Sequence, residues 1–268
     1  MTTQCVFISG GNRGLGFSCI KALLASPSFS GKIIMGSRKL SSGESARQLL
    51  GDERVDVVEL DVLSKKSISL AAKTVSMMAP NGLTALINNA GVLGEAEGED
   101  VFETNFSAVI EVSESFLPLM NEGASWIVTS SSAGTRCMAS LEVSDSSFLL
   151  SPNLTLDGLR ERIKVLQRDE KLDNYALSKT AVNCYAQILA RTHPDKLVKA
   201  VSPGFCLTGM CANYAGKRQP KEAELGATVF VEALFGIGQG KSGVFLKQNS
   251  PAGTPIQEAV TVETSWST

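Results

Sequence analysis

The chain alternates between short apolar runs and longer stretches in which apolar residues recur every three or four positions. A short continuous apolar run is typical of a strand buried on both faces, and the longer spacing is typical of a helix with one buried face. The alternation predicts an α/β fold, a doubly wound parallel sheet of about seven strands with helices on both faces. The predicted strands are 5–9, 32–36, 55–59, 85–88, 125–130, 197–201 and 243–246, and the predicted helices are about 15–25, 42–50, 64–78, 100–120, 175–191 and 220–235.

One segment, 133–174, interrupts this alternation because it is longer than a simple connection between two elements. Its apolar residues between Leu156 and Leu166 recur at helical spacing, which predicts an inserted helix with one face against the body of the protein. We expect a single domain over residues 1–268, with this helical insertion and a short C-terminal tail at about 249–268.

The composition is that of an ordinary globular protein, with 43% hydrophobic and 19% charged residues and a formal net charge of −2. Such a chain, without a basic cluster, argues against nucleic acid or an acidic membrane surface as a partner. The six cysteines form no C-x-x-C pair and His193 is the single histidine, so we expect no metal site. Cys5 already lies in the first predicted strand, which leaves no room for a signal peptide, and no apolar run approaches membrane-spanning length. We therefore expect a cytoplasmic protein.

The first predicted strand leads directly into a glycine-rich turn and then into a predicted helix. Gly10 allows a tight reversal of the chain, Gly14 allows the backbone to approach a phosphate, and Gly16 allows the helix to pack closely on the strand. The N-terminus of that helix offers unpaired N–H groups and a positive dipole end, which favour a pyrophosphate. The spacing G-x-x-x-G-x-G differs by one residue from the usual dinucleotide fingerprint. For the glycines alone, an ordinary glycine-rich turn is the alternative.

The end of the second predicted strand indicates which dinucleotide is bound. In NAD-binding units an Asp or Glu at this position holds the 2′-hydroxyl of the adenosine ribose. This chain has no acid there and has Arg38 instead, while Arg13 lies inside the glycine turn. Two guanidinium groups suit a 2′-phosphate, which favours NADPH over NADH. The alternative is a pair of solvated surface arginines.

Polar or small residues also follow the third and fourth predicted strands. Asp61, followed by Val62, either accepts a hydrogen bond from the amino group of adenine or caps the helix that starts near Ser64. The run Asn88-Asn89-Ala90-Gly91 offers small residues that allow backbone to pack against a flat ring, although such a run is also compatible with a simple turn.

Six motifs occur in order along the chain, and together they resemble the short-chain dehydrogenase/reductase family over residues 5 to about 248. The motifs are the glycine turn, the run at 88–91, Asn105 within Thr104-Asn105-Phe106, the serines at 130–132, Tyr175-Ala176-Leu177-Ser178-Lys179 and Ser202-Pro203-Gly204. The resemblance implies a single-domain Rossmann-type fold with a nicotinamide cofactor.

Within that family the chain is most similar to the monomeric carbonyl reductases and the related plant ketone reductases. Arg13 occupies the basic position in the glycine turn, and the stretch 102–106 followed by 116–119 is similar to the fourth-helix region of that group. Ser131 and Tyr175 are separated by 44 positions, 175 − 131, where most members have a much shorter connection.

The resemblance implies a role for each residue of the site in carbonyl reduction by NADPH. Tyr175 donates the proton, and Lys179, one helical turn later, holds the nicotinamide ribose. Lys179 and the positive nicotinamide of the oxidised cofactor lower the pKa of Tyr175. The serine that holds the substrate oxygen aligns with Ser131, or with Ser132 if the register shifts by one. Asn105 supports a water that leads from Lys179 to solvent.

After the sixth predicted strand, Pro203, Gly204 and Thr208 resemble the family segment that flanks the nicotinamide carboxamide. The complete set of expected cofactor contacts is Gly10, Asn12, Arg13, Gly14, Leu15, Gly16, Arg38, Asp61, Val62, Asn89, Ala90, Gly91, Tyr175, Lys179, Pro203, Gly204 and Thr208.

The resemblance also implies a small-molecule ketone, aldehyde or quinone as substrate, in an apolar pocket. Residues expected to line that pocket are Phe148 and Leu149 of the insertion and Phe205, Met210 and Tyr214 of the stretch 205–219.

In the resembled reductases, such an insertion covers the helix surface through which other members form tetramers, so we expect a monomer. Two other functions stay open at this point. One is an NADP-linked alcohol dehydrogenase working in the oxidative direction, and the other is a non-catalytic NADP-binding sensor or partner-binding protein.

Overall fold

A computed structural model describes residues 3–94, 98–211, 217 and 219–266. The strands in these residues are β1 (Cys5–Ser9), β2 (Lys32–Ser37), β3 (Val55–Glu59), β4 (Leu83–Asn88), β5 (Met120–Thr129), β6 (Leu197–Ser202), β7 (Cys206–Leu207), β8 (Lys221–Glu222), β9 (Val244–Gln248) and β10 (Thr261–Thr264). Eight of them form one sheet in the order β10-β9-β6-β5-β4-β1-β2-β3, and β7 and β8 form a separate pair. Neighbours in the large sheet are parallel except β9 and β10.

The α-helices in the described residues are α1 (Gly14–Ala25), α2 (Leu40–Leu50), α3 (Lys65–Met78), α4 (Ala108–Phe116), α5 (Ser132–Ser140), α6 (Val143–Leu149), α7 (Leu156–Leu166), α8 (Asn174–Thr192) and α9 (Ala223–Phe235). The sheet separates two apolar clusters, because successive side chains of a strand point to opposite faces. Phe7 of β1 belongs to the cluster that contains α3, α4, α7 and α8, and Ile8 belongs to the cluster that contains α1, α2 and α9. The predicted doubly wound α/β fold is confirmed.

The helix predicted over 100–120 is divided into three parts. A π-helix at Glu103–Ser107 precedes α4, and a 3₁₀ turn at Leu117–Leu119 follows it. Pro118 lies in that turn and has no N–H to continue the α-helix. Strand β5 then begins at Met120, five residues earlier than predicted.

The stretch predicted as a C-terminal tail contributes the eighth strand of the sheet. β10 runs antiparallel to β9, with Val262 opposite Lys247. Three of its four residues are polar and its residues are half-buried or exposed, so it lacks the apolar run that identifies the parallel strands.

The insertion at 133–174 contains most of α5 and all of α6 and α7 before the chain enters α8. Leu159 and Ile163 of α7 are buried in the same apolar cluster as Leu177 of α8, so α7 packs on α8. The monomeric state expected from this covering stays a prediction. A bilayer crossing would need a longer and more apolar helix than any that the described residues form.

One buried charge inside the sheet predicts how stability depends on pH. The side chain of Lys199 in β6 is 0% exposed, and its Nζ donates hydrogen bonds to Ser125 Oγ (3.1 Å) and to the carbonyl oxygen of Leu197 (3.3 Å). No carboxylate among the described residues pairs with it. Burial therefore lowers the pKa of Lys199 from 10.5 to about 8.

We expect Lys199→Met to stabilise the protein at pH 7 and to lose that advantage as the pH rises. Between pH 8 and 10.5 the unfolded chain binds more protons at this lysine than the folded chain does. The free-energy cost of burying the charged side chain, at most roughly 3 kcal/mol, therefore disappears across that range. The measurement is the difference in thermal midpoint between the variant and the wild type at several pH values. The exposed Lys66→Met is the control, and a variant that is less stable at every pH would contradict the prediction.

Candidate active site

The predicted site residues meet at the edge of the sheet formed by the carboxyl ends of β1, β4, β5 and β6. Because these strands are parallel and adjacent, the segments that leave them lie side by side. The glycine turn leaves β1, the run from Asn89 leaves β4, Ser131 follows β5, and Pro203 follows β6.

The glycine turn has a geometry that glycine residues are needed to form. Gly10 and Gly14 have φ of +65° and +54°, in the left-handed region. At Gly16 a Cβ atom would lie only 2.3 Å from the carbonyl oxygen of Gly10, and at Gly10 it would lie 3.1 Å from Ala90 Cα. The turn is therefore compressed between helix α1 and the segment that follows β4.

Ser9 and Asn89 hold this turn against the end of β4. Asn89 Nδ2 donates to the carbonyl oxygens of Ser9 (3.0 Å) and Gly10 (3.1 Å). In return, Ser9 Oγ accepts the backbone N–H groups of Asn89 (3.0 Å) and Ala90 (3.1 Å). Ser9 was not among the predicted site residues, and its sequence signal is only its position at the end of β1.

The start of α1 has the properties of an anion site. Arg13 is the N-cap residue, its side chain caps nothing, and the first turn contains no acidic residue. The first N–H groups of the helix are thus not occupied by a capping side chain, and the turn before them has room only for backbone. A pyrophosphate group fits this donor set.

The two arginines predicted to select NADPH lie on neighbouring segments. The Gly11 N–H donates to the carbonyl oxygen of Gly36 (3.1 Å), which joins the glycine turn to β2 two residues before Arg38. Arg13 and Arg38 are both exposed. Within the described ranges neither guanidinium takes part in a hydrogen bond or an ion pair, so both are available to a phosphate.

Asp61 is not the cap of α3. Its Oδ1 accepts the N–H of Leu63 (3.0 Å) in a local turn, whereas the cap is Ser64, whose Oγ accepts the N–H of Ser67 (3.3 Å). Asp61 and Val62 are both half-buried at the end of β3. The helix cap is therefore excluded as the role of Asp61, and the contact with adenine stays a prediction.

Helix α8 carries Tyr175 and Lys179 on one face. The Nζ of Lys179 lies 5.7 Å from the centre of the Tyr175 ring and donates to the carbonyl oxygen of Thr129 at the end of β5 (2.9 Å). Helix α5 approaches this face closely, because a Cβ at Gly134 would lie 2.5 Å from the carbonyl carbon of Lys179.

Of the three consecutive serines, Ser131 is the one that reaches Tyr175. Its hydroxyl acts to lower the pKa of Tyr175, and its Oγ also caps α5 by accepting the N–H of Ala133 (3.1 Å). Ser130 Oγ bonds instead to Asn183 Oδ1, and Ser132 Oγ bonds to Ser202 Oγ (3.2 Å).

The pKa of Tyr175 is raised in the protein without a cofactor. Burial is the main cause, the hydroxyl of Ser131 acts in the opposite direction, and the negative charge of Asp173 raises the pKa further. Burial also lowers the pKa of Lys179 to about 8. The lowering of the Tyr175 pKa expected from Lys179 together with the oxidised nicotinamide stays a prediction.

Asn105 lies in the π-helix before α4 and is fully buried. Its Oδ1 accepts the N–H of Val92 (2.8 Å), and its Nδ2 donates to the carbonyl oxygen of Val92 (2.9 Å) and to Ser178 Oγ (3.2 Å). A Cβ at Gly91 would lie 3.0 Å from Asn105 Oδ1 and 3.7 Å from Lys179 Nζ. The amide thus fixes the segment after β4 beside Lys179, and its role in holding a water stays a prediction.

The segment after β6 reaches back to the glycine turn. Gly204 has φ of +91°, and the Cβ and Cγ2 atoms of Thr208 would lie 3.4 Å from a Cβ at Gly14. Thr208 therefore lies directly against the glycine turn.

A cleft of about 950 Å³ opens beside Tyr175, between residues 93–94 and 98–102 on one side and the segment 167–175 on the other. Its lining includes five charged side chains, which are those of Glu99, Asp100, Glu170, Lys171 and Asp173.

The insertion lines this cleft through residues 167–174, but the cleft carries more charge than the expected apolar pocket, and the expected lining residues Phe148 and Leu149 are not part of it. Leu149 is buried in the core, and Phe148 is covered by the guanidinium of Arg162, 4.4 Å from the ring centre. Phe205 and Met210 do not line the cleft, and Tyr214 lies outside the described residues.

Comparison with known proteins agrees with this architecture. A family model described as short chain dehydrogenase matches residues 4–144. The chain is 27% identical over 269 residues to NADPH carbonyl reductase 1 of Oryctolagus cuniculus, covering 91% of this chain and 95% of that protein. It is 28% identical over 289 residues to a short-chain dehydrogenase/reductase of Penicillium rubens, covering 98% and 78%.

Solved structures show the same fold. Salutaridine reductase from Papaver somniferum superimposes with a TM-score of 0.78 at 24% identity, over 90% of this chain and 99% of that one. An NADPH-bound carbonyl reductase from chicken fatty liver gives a TM-score of 0.67 at 22% identity, over 91% of each chain. With the family model covering more than half of its length, this chain belongs to the short-chain dehydrogenase/reductase family, and it is similar in sequence to a carbonyl reductase.

Proposed function

We propose that the protein reduces the carbonyl group of a ketone, aldehyde or quinone to an alcohol, with NADPH as hydride donor. The observation that carries this proposal is the placement of Lys179 Nζ 5.7 Å from the centre of the Tyr175 ring on one face of α8, beside an open cleft that Tyr175 lines. The similarity to carbonyl reductases supports the same reaction.

The chemistry divides between cofactor and protein. When bound, NADPH supplies the hydride. The Ser131 and Tyr175 hydroxyls orient the substrate by donating hydrogen bonds to its carbonyl oxygen, and Tyr175 transfers its proton to that oxygen as it becomes an alkoxide. The raised pKa of Tyr175 keeps the hydroxyl protonated at neutral pH, which suits a proton donor. Lys179, with a pKa of about 8, still carries most of its positive charge at pH 7 and stabilises the tyrosinate that remains.

The same edge of the sheet supplies the proposed contacts for NADPH. The glycine turn, with Asn12 and Leu15, would hold the pyrophosphate. The arginines would hold the 2′-phosphate, and Asp61 with Val62 would lie against the adenine. The run Asn89 to Gly91, Tyr175 and Lys179 would hold the nicotinamide ribose side, and Pro203, Gly204 and Thr208 would flank the nicotinamide.

Replacement of Tyr175 tests the reaction and its proton donor together. Tyr175→Phe removes one hydroxyl, so we expect NADPH oxidation with a panel of ketones, aldehydes and quinones to fall by about 10²–10⁴-fold. NADPH binding, followed by titration of cofactor fluorescence, should be retained. Wild-type protein that binds NADPH tightly but turns over no carbonyl would instead support a non-catalytic sensor.

A matched pair of serine variants tests which hydroxyl holds the substrate oxygen. We expect Ser131→Ala to lower kcat by about 10²–10³-fold, because it removes a donor aimed at the developing negative charge. Ser132→Ala removes a hydroxyl that bonds to Ser202 and should have a much smaller effect. Equal losses in the two variants would show that the assignment to Ser131 is wrong.

The preference for NADPH depends on Arg38 and Arg13. Loss of one charge-assisted bond to the 2′-phosphate in Arg38→Ala should raise the KM for NADPH by about 10-fold and leave the KM for NADH unchanged. Arg47→Ala, on the last turn of α2 and paired with Glu44, is the control. Equal use of NADH and NADPH by the wild type would overturn the roles of both arginines.

A further inference from the structure

A carboxylate at the start of α8, which lines the cleft beside Tyr175, also shapes the helix that carries this tyrosine. Asp173 is the N-cap residue of this helix. Its Oδ1 accepts the N–H of Ala176 (2.6 Å), and its carbonyl oxygen accepts the N–H of Leu177 (2.9 Å). These two bonds fix the first helical turn, and that turn is the one that carries Tyr175.

The carboxylate of Asp173 also lies on the reacting side of the helix. Asp173 and Tyr175 line the same cleft. The charge of Asp173 raises the pKa of Tyr175 and also that of Cys137, which lies on α5. Its field therefore reaches both helices that position the Ser131–Tyr175 pair.

Several other titratable or charged groups face Tyr175. Lys179 lies on the same helix and Cys206 on β7, and the remaining cleft charges are Glu99, Asp100, Glu170 and Lys171.

The contacts of these other acids separate them from Asp173. Glu99 and Asp100 accept the N–H groups of Gly94 and Glu103, within their own segment. Among the described cleft carboxylates, Asp173 is the one that both bonds to α8 and acts on Tyr175.

We propose that Asp173 is a positioning residue for Tyr175, which holds the first turn of α8 in place and puts a negative charge into the cleft that Tyr175 lines. Reduction needs the hydroxyl as a proton donor, whereas alcohol oxidation needs the tyrosinate as a base. The charge of Asp173 opposes formation of the tyrosinate as the pH rises, and so slows alcohol oxidation relative to reduction. This consequence for direction rests on the proposed function, but the effect on protonation does not.

Three variants separate the charge of Asp173 from its cap. Asp173→Asn keeps an equally good N-cap acceptor and removes the charge, and Asp173→Ala removes both. Asp169→Asn is the matched control, because Asp169 accepts a local N–H from Lys171 and does not line the cleft.

The first measurement is an absorbance titration of tyrosinate by rapid pH jump, with the Tyr175→Phe signal subtracted to isolate Tyr175 from the other two tyrosines. We expect Tyr175 to ionise at lower pH in Asp173→Asn than in the wild type, and at the wild-type pH in Asp169→Asn. The difference should shrink at high salt, because Asp173 is exposed to solvent. Asp173→Ala should show the same shift and a thermal midpoint lower by about 2–4 °C.

The second measurement is the pH profile of alcohol oxidation with NADP⁺, whose rising limb should move to lower pH in Asp173→Asn. An unchanged Tyr175 titration in Asp173→Asn would overturn the role of the charge, and an unchanged thermal midpoint in Asp173→Ala would overturn the role of the cap. A shifted titration in a protein that shows no turnover would support the role of the Asp173 charge and reject the proposed function. Failure of the Asp173 proposal and failure of the proposed function are therefore distinguishable.

Discussion

The close packing of the turn after β1 against the end of β4 is the constraint on which the site depends. At Gly16 and Gly10 there is no space for a side chain, and the amide of Asn89 is bonded to the carbonyl oxygens that this compression brings together. Because the turn cannot relax, the start of α1 stays open to an anion, and Ala90 and Gly91 stay beside it. A side chain larger than hydrogen at Gly16 would separate α1 from the sheet. It would displace the start of α1 and the segment with Ala90 and Gly91 together.

Helix α8 is fixed to the same sheet by different means. Lys179 is bonded to the end of β5, Asn105 connects Ser178 to the segment after β4, and Gly134 allows α5 to lie directly against the helix. The candidate proton donor is therefore placed by three neighbours that are themselves anchored at strand ends. This explains how a 19-residue helix can hold the Tyr175 hydroxyl at a fixed position relative to the surrounding loops.

The parallel strands and the site motifs could be predicted because each leaves a local signal, an apolar run or a fixed spacing. The choice between Ser131 and Ser132 could not, since neighbouring serines differ only in the direction that the turn after β5 gives them. The charged cleft was missed because its residues come from two loops without periodicity, and β10 was missed because three of its four residues are polar. Asp173 left a local signal, an acidic residue two positions before the helix predicted from residue 175, but its effect on Tyr175 depends on the tertiary fold.

The antiparallel strand β10 has a consequence for handling the protein. Without it, β9 would be the last strand of the sheet, and a largely buried sequence containing Phe245 and Leu246 would present unpaired backbone groups to other chains. β10 covers that edge with a strand of four residues, and Glu263 on it is paired with Lys241. A short, polar, charged border of this kind is a poor template for intermolecular sheet formation. Shortening the chain before residue 261 would therefore convert a protected border into an aggregation-prone one, even though no residue of the proposed chemistry would be lost.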